Sequence, residues 1–167
     1  MQDSAPSGLL FRAPTVEDHL GIVSAIPEWW GTPNSITLPL LLPRLFLQHF
    51  ADTSTVVEDA QGGLAGFLIG FRSQSQPEIG YIHFVGVRPD QRGSGLARTL
   101  YERFFERMRE LGCERVDAAT SVLNLRSQDF HRAMGFEFAG DAEFDGVLGW
   151  RDYDGPGQHR VSFSRPI

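Results

Sequence analysis

One stretch decides how this chain is organised, and it reads Val87-Arg88-Pro89-Asp90-Gln91-Arg92-Gly93-Ser94-Gly95-Leu96-Ala97. It follows a nearly continuous apolar run over 79–87, which predicts a central strand covered on both faces. Apolar residues at helical spacing come after it and predict a long helix. Glycines before a helix let backbone amides approach an anion, and the helix N-terminus adds partial positive charge. The stretch therefore predicts a phosphate-binding loop.

The spacing within this loop excludes two common nucleotide motifs. A P-loop requires Lys followed by Ser or Thr after its second glycine, and no lysine follows here. A dinucleotide fingerprint requires a third glycine, and Arg98 stands in that place. The remaining pattern is Arg-x-x-Gly-x-Ala, formed by Arg92, Gly95 and Ala97. A tight strand-to-helix turn without a ligand is the alternative interpretation.

Hydrophobic periodicity along the rest of the chain predicts an α/β (α+β) fold with a mixed sheet. We expect strands over 9–12, 53–58, 64–71, 79–87, 115–120, 136–139 and 159–163, and helices over 15–26, 40–50, 95–111 and 124–134. Pro27 is expected to end the first helix, and Gly112 and Gly135 the last two. No repeat or linker divides the sequence, so we expect one domain over 1–167.

Composition and charge limit the classes of function. The chain has 167 residues, a formal net charge of -6 and one cysteine, Cys113. The acidic balance disfavours nucleic acid as a partner, because phosphate binding needs a basic surface. A single cysteine cannot form an intrachain disulfide. No apolar run is long enough for a membrane span. The polar segment 1–8 does not resemble a secretory signal. We therefore expect a cytoplasmic protein with no membrane partner, and histidine spacing indicates no metal site.

Three segments resemble the GNAT superfamily of acetyl-CoA-dependent N-acetyltransferases. The Arg92–Ala97 motif, after a strand ending in Val85-Gly86-Val87, is similar to the CoA-binding motif of that family. The family places an Asn after the next strand, here Asn124, and then a short helix that ends in Gly-Phe, here Gly135-Phe136. Residues 11–18 resemble its first strand and helix start.

The resemblance implies a fold, a cofactor and a set of contacts. The fold is a central, mixed and mostly antiparallel sheet of six to seven strands with about four helices. A V-shaped opening is expected between the strands that end at Val87 and Thr120. Acetyl-CoA is the implied co-substrate, and no metal is needed. The implied CoA contacts are Val85, Gly86, Val87, Arg92, Gly93, Ser94, Gly95, Leu96, Ala97, Arg98, Asn124, Ser127, Phe130 and Arg132.

Some of these charges have a second interpretation, because Arg98 and Arg126 fit ordinary solvated helix positions equally well. The family's reaction moves an acetyl group to a primary amine of a small molecule or protein by direct attack through a tetrahedral intermediate. An amine is mostly protonated at neutral pH, so a base must take its proton. His83 is the candidate base, since strand alternation places it on one face with Tyr81, Val85 and Val87.

Other catalytic roles stay open at this point. Glu78 is the second candidate base, and a backbone amide near Val87 is the candidate oxyanion donor. A core histidine bonded to a carbonyl is the alternative for His83. The family usually has Tyr where this chain has His131, so His131 is a candidate general acid, with a surface helix histidine as the alternative.

The acceptor site is predicted from resemblance and charge. The family builds this site where the present chain has Trp29, Trp30, Asp152 and Tyr153. Glu143, Asp145 and Asp154 add negative charge, which favours a cationic small-molecule amine, although a solvated acidic loop explains them equally. A homodimer is expected because dimers are common in the family. A non-catalytic acyl-CoA-binding regulatory module and a structural interaction domain are the alternative functions.

Overall fold

The computed structural model describes residues 8–167. The chain forms two compact units whose boundaries fall inside two strands and one helix. The first unit comprises Met1–Phe71 and His83–Arg107, and the second comprises Arg72–Ile82 and Met108–Ile167. We expect no secretory signal in residues 1–8. Residues 1–7 lie outside the described part of the chain. The expected single domain stays a prediction.

Within residues 8–167 the chain forms nine strands and four α-helices. The strands are β1 (Leu10–Arg12), β2 (Thr55–Glu58), β3 (Leu64–Arg72), β4 (Ile79–Val87), β5 (Arg115–Ser121), β6 (Glu137–Ala139), β7 (Ala142–Phe144), β8 (Val147–Gly149) and β9 (Arg160–Pro166). The α-helices are α1 (Asp18–Trp30), α2 (Leu45–His49), α3 (Leu96–Glu110) and α4 (Leu125–Ala133). Short 3-10 helices cover Pro33–Ile36, Leu38–Leu41, Ala51–Thr53 and Pro89–Gln91.

Seven of the described strands form one sheet in the order β1-β2-β3-β4-β5-β9-β6. β4 pairs with β5 in parallel, and the pairs β1–β2, β2–β3, β5–β9 and β6–β9 are antiparallel. β7 and β8 form a separate antiparallel hairpin. This mixed, mostly antiparallel sheet with four helices confirms the fold class expected from the sequence.

Helix α1 supplies the core of the first unit. Ile22, Ile26 and Trp29 follow one another at helical spacing and are buried together with Phe67. The expectation that Pro27 ends this helix is wrong, because the next turn still buries Trp29 in the same core. The helix ends instead at Gly31, which has a left-handed conformation (φ +61°) and donates its N–H to the Pro27 carbonyl at 3.0 Å.

The helix expected over 40–50 is shorter in the structure. A 3-10 helix covers Leu38–Leu41, and only Leu45–His49 is α-helical. Pro39 and Pro43 account for the difference, because each lacks a backbone donor and disrupts a continuous helix. None of the helices in the described part of the chain is long and apolar enough to cross a membrane.

The second unit has one apolar and one polar sheet face. Val116, Ala118, Val161 and Phe163 are buried, whereas the residues that alternate with them on β5 and β9 are partly exposed or exposed. Helix α3 ends at Gly112 as expected, with the N–H of Cys113 donated to the Met108 carbonyl at 2.9 Å and that of Gly112 to the Arg109 carbonyl at 2.9 Å. These two bonds define a Schellman cap.

Candidate active site

The phosphate loop, residues 88–97, joins β4 to the start of α3 in the first unit. Gly93 (φ +79°) and Gly95 (φ +87°) adopt the left-handed conformation that favours glycine. A Cβ at either position would meet no atom within 4 Å outside its chain neighbours, so the backbone is open on that side. The first amides of α3 have no intrahelical acceptor. The loop therefore fits a phosphate group in shape and polarity.

The side chain of Arg92 is turned toward the protein's own backbone. Its Nη2 donates a hydrogen bond to the Trp29 carbonyl at the end of α1, and its Nε donates to the Val87 carbonyl at 3.3 Å. Arg92 therefore links the last turn of α1 to the end of β4. The resemblance implies that Arg92 also contacts the phosphates of CoA. That role stays a prediction.

Two further arginines flank the loop. Arg88 is held by Asp59 at 2.8 Å and by Asp90 at 2.7 Å, so carboxylates of the first unit surround it. Arg98 has a side chain that is 53% exposed and a long ion pair of 3.8 Å with Glu102. Arg98 is thus the better placed of these two arginines to reach a bound anion.

Close packing explains Gly86 without reference to a ligand. A Cβ at Gly86 would stand 2.5 Å from the Phe67 ring and 3.0 Å from the Trp30 ring. Trp29 is buried against Phe67, with ring centroids 5.9 Å apart. Trp30 lies edge-on to Phe84 and is only partly buried. Of the two predicted acceptor-site tryptophans, Trp30 is therefore the more accessible.

His83 is anchored to the segment between α1 and α2. Its Nε2 lies 2.5 Å from the Leu41 carbonyl, and its ring stacks on Phe46 with centroids 4.1 Å apart. The next residue, Phe84, contacts Trp30 at the end of α1 and packs against the core of the first unit. The face that His83 is expected to share with Tyr81, Val85 and Val87 stays a prediction.

Tyr81 and Glu78 belong to the second unit. Tyr81 lies opposite Asp117 in the parallel register of β4 and β5. Burial raises the pKa of Tyr81 to about 12, and the nearby Tyr153 and Asp154 add to this shift. Glu78 precedes β4 at the end away from Val87, and its side chain is exposed.

His131 is buried inside an aromatic cluster on α4. It is 5% exposed, stacks on Phe163 with centroids 4.1 Å apart and lies edge-on to Phe130. Its Nδ1 donates to the Ser127 carbonyl at 2.7 Å. Burial lowers the pKa of His131 to about 4, although this hydrogen bond opposes the shift. The ring is therefore neutral at pH 7, and the interpretation as a surface helix histidine is wrong.

The remaining α4 residues have structural contacts. Asn124 caps the helix, because its Oδ1 accepts the N–H of Ser127 at 3.2 Å, and its Nδ2 donates to the Thr120 hydroxyl at 3.2 Å. Arg132 is exposed and lies over the Phe138 ring at 4.4 Å. Their predicted CoA contacts remain predictions.

The acidic loop before β9 is ordered by its own carboxylates. Asp152 has a left-handed conformation (φ +51°) and accepts the N–H of Gly157 at 2.7 Å. Asp154 pairs with Arg160 at 2.7 Å, and Tyr153 is 48% exposed. The loop has internal bonds and is also exposed, which is compatible both with a solvated acidic loop and with an acceptor site.

The sequence reasoning missed Arg160 and Ser162 as site candidates, together with Trp150, which donates its indole N–H to the Ser162 hydroxyl at 2.8 Å. The signal was present, since polar residues alternate with apolar ones from Arg160 to Ser164. Within residues 8–167, no group of three or more His, Cys, Asp or Glu side chains is placed to hold a metal ion.

An open glycine loop at the start of a helix, after a central strand of a mixed α/β sheet, is a backbone arrangement typical of anion sites. The family model described as the acetyltransferase (GNAT) family matches residues 23–136. The chain belongs to this family, whose members use acetyl-CoA as the acetyl donor.

The names of two curated relatives agree with membership of the acetyltransferase family. An L-2,4-diaminobutyric acid acetyltransferase of Chromohalobacter salexigens is 36% identical over 102 residues, which cover 59% of this chain and 50% of the relative. An L-methionine sulfoximine/L-methionine sulfone acetyltransferase of Pseudomonas aeruginosa is 36% identical over 93 residues, 51% of each chain. This chain thus spans about half the length of the curated relatives it matches.

A solved structure supports the fold over nearly the whole chain. The diaminobutyrate acetyltransferase of Paenibacillus lautus, in complex with L-2,4-diaminobutyric acid and coenzyme A, superposes with a TM-score of 0.62. The match covers 95% of each chain at 18% identity.

Proposed function

We propose that this chain transfers an acetyl group from acetyl-CoA to the primary amine of a small molecule. The observation that carries the proposal is the phosphate loop, with Gly93 and Gly95 left-handed and open at the start of α3. Backbone amides in that position suit the pyrophosphate of CoA. Acetyl-CoA supplies an acetyl group activated as a thioester, whose thiol is a better leaving group than an amine.

His83 is the proposed general base. Because the Leu41 carbonyl only accepts, His83 Nε2 carries the ring hydrogen, and Nδ1 is the basic nitrogen of the neutral ring. The amine attacks the thioester carbonyl directly, through a tetrahedral intermediate, and its proton passes to Nδ1 either directly or through water. A backbone amide near Val87 would stabilise the negative oxygen that develops. Glu78, exposed at the opposite end of β4, is the weaker candidate.

His131 is not the general acid in this proposal. Its Nδ1 hydrogen is donated to the Ser127 carbonyl, and burial keeps the ring neutral at pH 7. The leaving thiol resembles that of cysteine, whose ordinary pKa is near 8.5, and it departs without strong acid assistance. We therefore assign His131 a positioning role at the centre of the aromatic cluster on α4.

The proposed acceptor is a small cationic amine, with Asp152 and Tyr153 of the second unit at its site. The named relatives act on L-amino acids that carry an amine, which supports a small-molecule acceptor. Action in the cytoplasm and assembly as a homodimer stay predictions.

Release of CoA thiol in the presence of an amine panel tests the proposal. We expect thiol release that depends on both acetyl-CoA and at least one small amine. The buried, neutral His131 in place of the usual Tyr favours one other candidate, the non-catalytic acyl-CoA-binding module. Binding of CoA with no thiol release on the whole panel would support that module and contradict the enzyme.

A further inference from the structure

The strands of the second unit carry a continuous polar face. In the antiparallel register of β5 and β9, Ser121 lies opposite Arg160, and Asp117 lies opposite Ser164. In the parallel register of β4 and β5, Tyr81 lies opposite Asp117. Directly opposed residues point to the same side of a sheet, so these side chains share one face. They are all partly exposed, whereas the opposite face is buried.

Two arginines lie on this polar face: Arg115, which pairs with Asp117 at 3.2 Å, and Arg160 beside the loop before β9. The side chain of Arg160 is 17% exposed, and its Nε pairs with the Asp154 carboxylate at 2.7 Å. Its Nη1 donates to the His159 carbonyl at 3.1 Å, and its Nη2 lies 3.4 Å from the Gln158 amide oxygen. Among the described residues, Asp154 is the only carboxylate within ion-pair distance of Arg160.

The partner carboxylate is easier to displace than the arginine. Asp154 is 51% exposed and sits in a turn between Asp152 (φ +51°) and Gly155 (φ +122°). An exposed aspartate gains little from a surface ion pair, because water solvates it well. The guanidinium is mostly buried and still requires an anion. A carboxylate from solution, in the same planar geometry, suits the place that Asp154 now holds.

Tyr81 and Trp150 add fixed polar groups near this arginine. Tyr81 feels the charges of Asp154 and Arg160, and it stays a neutral phenol because burial holds its pKa at about 12. The Trp150 backbone exchanges two hydrogen bonds with Arg160, at 2.7 and 3.2 Å. The position of Arg160 on the sheet is therefore fixed by backbone pairing and does not depend on Asp154.

We propose that Arg160 binds the carboxylate of the acceptor, so that the substrate class is a small amino acid. On binding, the substrate carboxylate replaces Asp154 on Arg160. This inference rests on the proposed acetyl transfer and specifies its acceptor. Both curated relatives named above act on L-amino acids, which share a carboxylate beside an amine.

Matched acceptors with and without a carboxylate test the inference. L-2,4-diaminobutyrate is compared with 1,3-diaminopropane, and L-methionine sulfone with 3-(methylsulfonyl)propylamine. We expect the wild-type chain to prefer each amino acid in kcat/KM by roughly 10- to 100-fold, the range of a charge-assisted hydrogen bond. Arg160→Gln is expected to remove this preference and to leave acetylation of the simple amines and CoA affinity in place.

Two variants keep the test decisive. Arg151→Gln removes an exposed arginine of the same loop, which lies over Phe144, and is expected to retain the preference. Asp154→Asn removes the competing carboxylate and leaves Arg160 in place, so the KM of L-methionine sulfone should fall. This second variant decides the matter even if Arg160→Gln does not fold.

The outcomes separate this inference from the proposed function. An unchanged preference in Arg160→Gln, an unchanged KM in Asp154→Asn, or equal wild-type activity on amines without a carboxylate would overturn the carboxylate site while acetyl transfer stands. Absence of thiol release with every acceptor, although L-2,4-diaminobutyrate binds wild type and not Arg160→Gln in calorimetry, would overturn the transfer and keep the carboxylate site.

Discussion

His83 and His131 both bond to a backbone carbonyl, but through different nitrogens. His83 uses Nε2 toward Leu41, and His131 uses Nδ1 toward Ser127. A carbonyl cannot donate, so each bond fixes a tautomer. The surroundings of the two rings differ. His131 is buried, which keeps its ring neutral, whereas His83 lies in a partly exposed segment of β4. The sequence alone could not distinguish these two environments.

Replacing His83 tests the general base. We expect His83→Ala to lower kcat by about 100-fold or more, because general base catalysis contributes on that scale, with CoA affinity unchanged. The measurement is steady-state kinetics across pH, paired with calorimetry of CoA binding. His49→Ala, at an exposed histidine, is the control for loss of an imidazole. A His83→Ala enzyme with wild-type rate and pH profile would leave His83 with a structural role alone.

Buried His131 predicts a pH dependence of stability. Its pKa is about 4 in the folded chain, against about 6.5 for an unfolded histidine. Between these values the unfolded chain binds more protons, so the free energy of unfolding falls as pH drops below about 6.5 and is fully present above it. The shift corresponds to about 3 kcal/mol.

Urea unfolding of wild type and His131→Phe, at about pH 5 and about pH 7, measures this effect. The phenylalanine keeps the aromatic stacking and removes the titration, so the variant should lose less stability in acid than wild type does. Identical acid sensitivity in the two proteins would show that His131 is not the group responsible.

Gly95 tests the phosphate loop at a single position. We expect Gly95→Glu to abolish CoA binding, because the side chain and its negative charge enter the space that faces the phosphate. Gly146→Glu is a matched control, since Gly146 (φ +83°) has nearly the same backbone conformation as Gly95 (φ +87°) and equally open surroundings. Calorimetry should show CoA binding to the control and none to Gly95→Glu. Similar affinity in both variants would remove the loop from the CoA site.

Among the secondary-structure elements, helix α4 offers a test of its N-cap, Asn124. Asn124→Ala should lower the free energy of unfolding by about 1 kcal/mol, because the Ser127 amide loses its cap. Asn124→Asp keeps the accepting oxygen and should retain most of that stability. Chemical denaturation of the two variants makes the comparison. Equal stability of Asn124→Ala and wild type would mean that the cap contributes nothing to the free energy of unfolding.

Elements with a clear local signal were predicted well from the sequence. Strand β4 has the expected bounds, and α3 runs from Leu96 to its glycine cap because its apolar stripe is long and regular. Helix α1 passes through Pro27 because burial of Trp29 outweighs the local preference of proline. That burial depends on distant residues such as Phe67, which no local pattern shows.

The β7–β8 hairpin was missed although its signal is strong. Asp145 (φ +49°) and Gly146 (φ +83°) form its two-residue turn, and Asp-Gly is typical of such turns. Its strands are three residues each, too short for alternation to be evident. The candidate site shows the same limit, since the Asp154–Arg160 pair depends on how the loop folds back onto β9.

At the scale of the whole molecule, charge and function are reconciled by local placement. The chain carries a formal net charge of -6, yet its proposed donor site uses backbone amides and a helix terminus, which need no net positive charge. The acceptor site proposed in the second unit uses one mostly buried arginine. An acidic protein can thus accept an anionic donor and an amino acid through a few oriented groups.

Acetyl transfer to an amine is the central claim, and mass spectrometry of the acceptor tests it most directly. Wild type is incubated with L-2,4-diaminobutyrate and acetyl-CoA that carries an isotopically labelled acetyl group. We expect an acceptor heavier by one labelled acetyl group on nitrogen, formed together with an equal amount of free CoA thiol. An unlabelled acceptor, across this and the other amines of the panel, from a chain that binds CoA would contradict the claim.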